Sequence, residues 1–586
     1  MSHQKLLPGF NLASVGLMII VLLLGLFFRW ANLGHKVFWV DEIATAVRVS
    51  GYTVAEVTDD LVNQDIFTRN ILFSYQAISP DKTFEDSMIA LTKSPEHAPL
   101  YFILTRLWMQ LWGNSLTVMR SLSVCFSLLI LPSLYWLGTE LFNRPLVSWL
   151  AISLMSLSPF YVAYAQEARP YSLWTVTVLM TSAAFIRAIR CNRTKSWLLY
   201  SCCLIISLYT SLFSIYVAFS QGIYLLITVD KTRLSLIKNY IIFSGMALIA
   251  FAPWIQVITS HLDLLQENTS WMRGNFNLAD IVAVFVGTNL LIFGDLPISQ
   301  ASNPIQVALV LIILVMAIFM GIKFYPQWKN KFLKYALLLS CVSGIFLLSN
   351  YIYLDWTTII GALVAICILS LSGYSLFYLL VNSNRDRWLF IICLMLSLPV
   401  PLVLTDIINQ GQGSTAPRYL IPLQLGILIA VAYTLASKLI VSKQQKFWQL
   451  IIVACFALGI FSNIRNYNLS PFYQKGRNVN NPAIAQIINQ SNSALVIVEA
   501  AEAMDLVSLA YSLNEEVRYK VMTNKDDLAL YTKSFDNTYL LKPSPNLIQK
   551  SLANKQINFQ QVYKSHVFSA DEFPLDLWQI NSITNN

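Results

Sequence analysis

The sequence predicts a mainly α, polytopic membrane helical bundle of about 13 spans, N-terminus cytoplasmic, with a small C-terminal extracytoplasmic α/β domain. Three observations carry this. Hydrophobic residues make up 56% of the 586 and charged residues only 12%, with mean hydropathy +0.56, whereas soluble domains carry roughly 25% charged residues. Apolar runs long enough to span a bilayer recur between residues 12 and 463, separated by short basic loops. After Asn463 the composition turns polar and the apolar residues fall into short alternating stretches.

The first run, Leu12 to Phe28, is followed by Arg29-Trp30 rather than a small-residue cleavage site, so it reads as a membrane helix and not as a leader. The further spans are 115–141, 146–163, 171–188, 196–209, 213–229, 237–255, 303–322, 335–353, 357–381, 388–405, 418–437 and 447–463. With the N-terminus inside, the inner segments hold eighteen Lys and Arg from Lys5 to Lys446, and the short outer loops hold three, Arg169, Arg273 and Arg418. That bias sets the orientation. Counting Ile281–Phe293 as another span would invert every later loop, so 279–295 reads as a re-entrant or interfacial helix on the outer side.

This topology collects four polar segments on the outer face: the loop 30–114, the turn Gln166–Tyr171, the loop 256–302 and everything beyond 463. The first loop is too long for a connector, and its end, Ile103–Trp112, is apolar but too short to span, which suits an amphipathic helix in the interface. Two domains follow: residues 1–463, a membrane domain that includes the loop 30–114, and residues 464–586, with strands at Ala494–Glu499, Val517–Met522 and Thr538–Leu541 and helices at Ala483–Ile488 and Met504–Ser512.

The net charge of +9 does not point to nucleic acid, because the basic residues lie in short loops between spans. The eight Cys lie in or beside apolar runs with no CxxC pair, which argues against disulfides and thiolate metal sites.

Four outer motifs can carry chemistry. Asp41-Glu42, flanked by Phe38, Trp39 and Val40, places two carboxylates at the lipid–water boundary; the alternative is a solvated pair that caps a helix. Gln166, Glu167 and Arg169, ahead of Tyr171, form a turn whose polar groups need partners at membrane depth, and Glu167 with Arg169 can simply fix the turn. His97, before Ala98-Pro99, fits a metal ligand, a phosphate donor or a plain loop histidine. Arg418-Tyr419 lies at the mouth of a late span, as an interfacial anchor or as a guanidinium that grips a phosphate.

Together these motifs resemble the GT-C superfamily of integral membrane glycosyltransferases, in the branch of protein O-mannosyltransferases and the lipid A aminoarabinose transferase. The likeness rests on Asp41-Glu42 after the first span, on His97-Ala98-Pro99-Leu100-Tyr101 (with Ala98 where the familiar form has Pro) and on Gln166-Glu167-Ala168-Arg169-Pro170-Tyr171. It covers the first 180 residues by motif and extends to 463 by topology. The resemblance implies inverting transfer of a hexose or pentose from a polyprenyl-phosphate donor to an acceptor hydroxyl, the acceptor being a lipid, a glycan or a protein, at the outer face of a bacterial plasma membrane. It implies Asp41 as catalytic base, with Glu42 beside it. Arg169, Arg418 and His97 would bind the donor phosphate, and Gln166, Glu167, Tyr171 and Tyr419 would orient the substrate. A divalent metal stays open, since some such enzymes use one. The rival readings are a transporter or flippase of lipid-linked sugars, expected to show midplane charges and repeated halves, and an inactive assembly or sensor protein.

Overall fold

The computed structural model describes residues 12–230, 233–295, 356–441, 444–470, 477–523, 528, 531, 535–552, 557–565 and 575–582. Within these, the chain is mainly helical, with several apolar helices of membrane length and one small sheet, as befits a polytopic membrane protein.

Seven described helices are long and apolar enough to cross a bilayer: Leu116–Phe142, Tyr171–Cys191, Leu234–Ser260, Ile360–Asn382, Arg385–Asn409, Pro417–Ile440 and Gln445–Asn468. The pair Pro145–Leu157 and Pro159–Ala165, bent by 63°, makes an eighth. Pro159 causes that bend: it lacks an N–H, and Ser158 before it takes an extended conformation, φ −62° and ψ 118°. Shorter apolar helices include Leu12–Trp30, Ser214–Thr228 and Leu278–Phe293, the last where the sequence reading puts a re-entrant or interfacial helix. The expected spans 303–322 and 335–353 lie outside the described residues. Large apolar side chains face outward along the long helices, with Ile249 75% and Leu450 65% exposed, an arrangement that hydrocarbon tolerates and water does not. The helix Leu100–Trp112 is amphipathic in the same sense: Tyr101, Phe102, Thr105 and Met109 are buried while Leu107, Leu111 and Trp112 are exposed.

The sheet has six strands, β1 Phe67–Thr68, β2 Ala494–Glu499, β3 Arg518–Met522, β4 Asn537–Leu541, β5 Ile557–Tyr563 and β6 Leu577–Ser582, in the order β1-β3-β2-β4-β6-β5. β2 is parallel to both β3 and β4, and the other pairings are antiparallel. The central strand reads as a continuous apolar run because it is covered on both faces, which is why β2 to β4 are visible in the sequence. β5, with Asn558, Gln560 and Gln561, carries a weaker signal and is not anticipated, and nor is β6, Leu577–Ser582. Neither is β1, which comes from the loop 30–114 and pairs Phe67 with Tyr519.

Two boundaries move. The expected junction at 463/464 falls inside the helix Gln445–Asn468. Asn463 sends its amide to the carbonyls of Leu157 and Gly459, at 2.8 Å each, so it is a buried packing residue rather than the start of a polar domain. The first loop, placed with the membrane domain from sequence, also completes the C-terminal sheet.

Candidate active site

The helix Val40–Ser50 carries Asp41 and Glu42 in its first turn, where acidic groups face the positive end of the helix dipole. It stops at Gly51, whose φ of +96° lets its N–H reach the carbonyls of Arg48 and Val47. Two adjacent carboxylates thereby point to opposite fates. Glu42 is fully buried. Its oxygens accept from Arg120 Nε at 2.8 Å and Nη2 at 2.7 Å, and from the Ala168 N–H at 2.8 Å. Arg120 also donates to the carbonyls of Leu33, Lys36 and Val37. Glu42, a catalytic candidate from sequence, is thus held as a brace between the first loop, the 116–142 helix and the Gln166–Tyr171 turn. Asp41 keeps 29% of its side chain exposed and lies 4.0 Å from Arg169 Nη2.

Arg169 is buried and donates to the Thr45 hydroxyl at 3.0 Å and the Asp41 carbonyl at 3.3 Å. Its turn is built from buried polar contacts. Gln166 Nε2 donates to the carbonyls of Phe28 and Ala31, both at 2.8 Å, closing the end of the first helix. Glu167 accepts from Trp39 Nε1 at 3.1 Å. Tyr171 packs edge-on against Tyr164, with the Arg169 guanidinium 5.9 Å from its ring centre. Glu167 and Arg169, offered as a mutual pair, therefore each find a partner on the helix or segment that leads to Asp41.

The third wall comes from the end of the first loop. Glu96 lies 3.8 Å from Arg48 Nη2 and 3.5 Å from His97 Nε2, and accepts from Asn268 of the 256–302 loop at 3.0 Å. His97 keeps about a fifth of its side chain exposed. Desolvation, and then the charges of Arg169, Arg48 and Arg418, hold its pKa well below the ordinary histidine range, so the ring is neutral near pH 7. It offers a hydrogen bond, not a cation.

Arg418 completes the ring of cations. It sits on a short turn, Pro417–Leu420, over the rings of Trp271, at 5.4 Å, and Tyr419, at 5.2 Å. Buried Asp406 accepts the N–H groups of Gly413 and Ser414, and Gln412 bonds the carbonyls of Met272 and Trp271, which ties the late loop to the 256–302 loop. Gly411 permits the approach: a Cβ there would lie 2.4 Å from the Met272 carbonyl oxygen.

The structure therefore places Asp41, His97, Glu167, Arg169, Tyr171, Arg418 and Tyr419 near one another, with Glu42 behind them on Arg120 and Gln166 turned to the end of the first helix. Sequence reasoning missed Arg48, Arg120 and Trp271. Arg120 left a readable signal, as an arginine inside an otherwise apolar span. Among the described residues, no group of three or more His, Cys, Asp or Glu is placed to hold a metal ion.

Residues 96–256 match the family described as dolichyl-phosphate-mannose-protein mannosyltransferase. The chain resembles membrane glycosyltransferases of that type. The matched stretch includes His97 and the Gln166–Tyr171 turn; Asp41 and Arg418 lie outside it. No curated protein matches the chain. Among solved structures, the Archaeoglobus fulgidus oligosaccharyltransferase, in complex with Zn and sulfate, is 9% identical, with TM-score 0.45 over 90% of this chain and 68% of that one. ArnT from Cupriavidus metallidurans bound to undecaprenyl phosphate is 12% identical, with TM-score 0.38 over 97% and 98%.

Proposed function

We propose that this chain transfers a sugar from a polyprenyl-phosphate donor to an acceptor hydroxyl at the outer face of the membrane, with inversion. The observation that carries the reading is the carboxylate of Asp41, 29% exposed and 4.0 Å from Arg169, with Arg48 and Arg418 close enough to feel its charge and His97 close to those same cations. A lipid-linked sugar has the matching shape: a tail for the bilayer, an anionic phosphate for the guanidiniums and a sugar in water.

In the reaction, the acceptor oxygen attacks the anomeric carbon as Asp41 takes its proton. The bond from the anomeric carbon to the phosphate oxygen breaks, and its electrons pass to the leaving polyprenyl phosphate. Arg169 and Arg418 offset that growing charge, and neutral His97 donates a hydrogen bond. Glu42 acts through Arg120 to hold the base in place. Gln166, Glu167, Tyr171 and Tyr419 shape the walls. No step is routed through a metal.

The test is release of polyprenyl phosphate, and labelling of acceptor, by purified full-length chain given polyprenyl-phosphate sugars. Asp41→Asn should abolish both while leaving donor binding intact. Wild-type turnover by that variant would remove Asp41 from the chemistry; movement of intact donor across vesicles without release would favour a flippase.

A further inference from the structure

The helix that presents Asp41 lacks a cap of its own: Trp39 occupies the N-cap and makes no side-chain cap bond. The first-turn N–H groups of a helix need acceptors from outside it, and here one comes from 438 residues away. Asn478 Oδ1 accepts the Val40 N–H at 3.0 Å. Asn478 is itself fixed, buried at φ +68°, with its amide nitrogen donating to Asp505 Oδ1 at 2.8 Å. Asp505 is fully buried and gripped by both arms of Arg477, at 3.0 and 2.6 Å. One helical turn along, Ser508 donates to the Phe38 carbonyl at 2.6 Å, and Tyr511 packs edge-on against the Phe38 ring at 4.9 Å. Asn478, Ser508 and Tyr511, all in the 477–511 stretch of the C-terminal domain, hold the Phe38–Val40 segment from one side, and Glu167 holds Trp39 from another.

A left-handed residue with a buried, two-way hydrogen-bonded side chain is a costly arrangement that its surroundings must enforce. Its side chain fixes the start of the Asp41 helix, while its carbonyl accepts the Asn481 N–H at 3.1 Å ahead of the helix Asn481–Ile488. Asp41 is one residue beyond Val40, so a shift of that helix end moves the carboxylate directly. We propose that Asn478, held by Asp505 and Arg477, is a positioning residue for Asp41, and that the C-terminal domain serves the reaction by capping the Asp41 helix. This rests on Asp41 being the base, as proposed above.

Two measurements on the full chain test it. Asn478→Gly removes the side chain while suiting the positive φ. Amide hydrogen exchange over 38–46 should then quicken roughly fivefold, the effect of a lost cap, with the 116–142 and 171–191 helices unchanged. With polyprenyl-phosphate mannose or aminopentose, whichever the wild type turns over, kcat should fall about tenfold or more, while donor KM and the binding of undecaprenyl phosphate stay put. Ser508→Ala, which removes the hydrogen bond to the Phe38 carbonyl from the same stretch, should shift both readouts in the same direction. Wild-type kcat in the glycine variant, or unchanged exchange at 38–46, overturns the proposal. If the wild type turns over neither donor, or Asp41→Asn retains turnover, the catalytic reading fails instead, and the exchange measurement alone still decides whether Asn478 caps the helix.

Discussion

Replacing Glu42 by Gln alters one atom of a fully buried side chain, and the structure fixes what that does. The Glu42 carboxylate accepts from Arg120 at 2.7 and 2.8 Å and from the Ala168 N–H at 2.8 Å. An amide of the same shape satisfies the Ala168 N–H with its oxygen but turns an NH2 toward an Arg120 donor. The guanidinium is then left in a fully buried site without its counter-charge. Breaking one side of such a pair costs about 3–5 kcal/mol, which is upward of about a hundredfold in the folding equilibrium. Asp41→Asn touches an ion pair 4.0 Å long with nearly a third of the carboxylate exposed, and should change stability by less than about 0.5 kcal/mol. The neighbours therefore separate: Asp41→Asn is inactive and stable, whereas Glu42→Gln is unstable, with turnover falling in step with the folded fraction. The assay is a denaturant titration of each purified variant beside its turnover per folded molecule. A Glu42→Gln protein of wild-type stability with no turnover would place Glu42 in the chemistry and refute the brace argument. An Asp41→Asn protein weakened by several kcal/mol would show Asp41 to be structural.

Three further outcomes follow from the same geometry. Arg418→Ala removes a charge-assisted contact of about 1.5–3 kcal/mol, so undecaprenyl phosphate should bind about 10- to 100-fold more weakly in an equilibrium titration; an unchanged affinity would count against its phosphate role. Because the folded His97 ring resists protonation, the unfolded chain takes up that proton first as the pH falls below about 6.5. Stability is then fully present above that pH and declines below it. His97→Gln should flatten this part of the thermal-midpoint profile, and an identical acid slope in both proteins would show that His97 titrates normally. Gly411→Ala drives a methyl against the Met272 carbonyl and should cost about 1–3 kcal/mol while loosening the Arg418 loop; wild-type stability and donor affinity would show the loop to be plastic.

What the sequence made legible is what contrast with an apolar background reveals. Asp41-Glu42, His97, Gln166-Glu167-Arg169 and Arg418 stand out because polar and ionisable groups beside spans are costly without a purpose, and the structure brings Asp41, His97, Arg169 and Arg418 near one another while Gln166 binds the end of the first helix. The helical spans and β2 to β4 were readable for the complementary reason, that their burial demands unbroken apolar runs. Partnership was not legible. Glu42 and Asp41 are indistinguishable in a row of letters, and only Arg120, 78 positions away, separates a brace from an open carboxylate. Trp271 is an ordinary tryptophan between apolar runs until Gln412, 141 residues on, bonds its carbonyl and Arg418 lies over its ring. Phe67-Thr68 is too short to show a period and becomes a strand only because β3 offers it an edge.

The charge balance around Asp41 also bears on why several arginines are gathered for a single donor. Arg48, Arg169 and Arg418 face Asp41, Glu96 and Glu167, and His97 adds no charge because burial, and then the same guanidiniums, suppress its protonation. On the proposed reaction, the donor is a phosphodiester with one negative charge, and the departing polyprenyl phosphate is a monoester that gains a second as the bond breaks. Fixed guanidiniums therefore bind the separating phosphate more strongly than the intact donor, which is the differential that lowers a barrier instead of only tightening binding. A charged His97 would strengthen ground-state binding as well, and would lose its proton-independent hydrogen bond to the pH of the medium. The Glu96 carboxylate, 3.5 Å from the ring and 3.8 Å from Arg48, is placed to orient that neutral donor, while Asp41 keeps 29% of its side chain exposed. The division of labour is thus electrostatic: Glu42 is sealed with Arg120, Glu167 holds Trp39, Glu96 steadies His97, and Asp41 lies part-exposed beside Arg169.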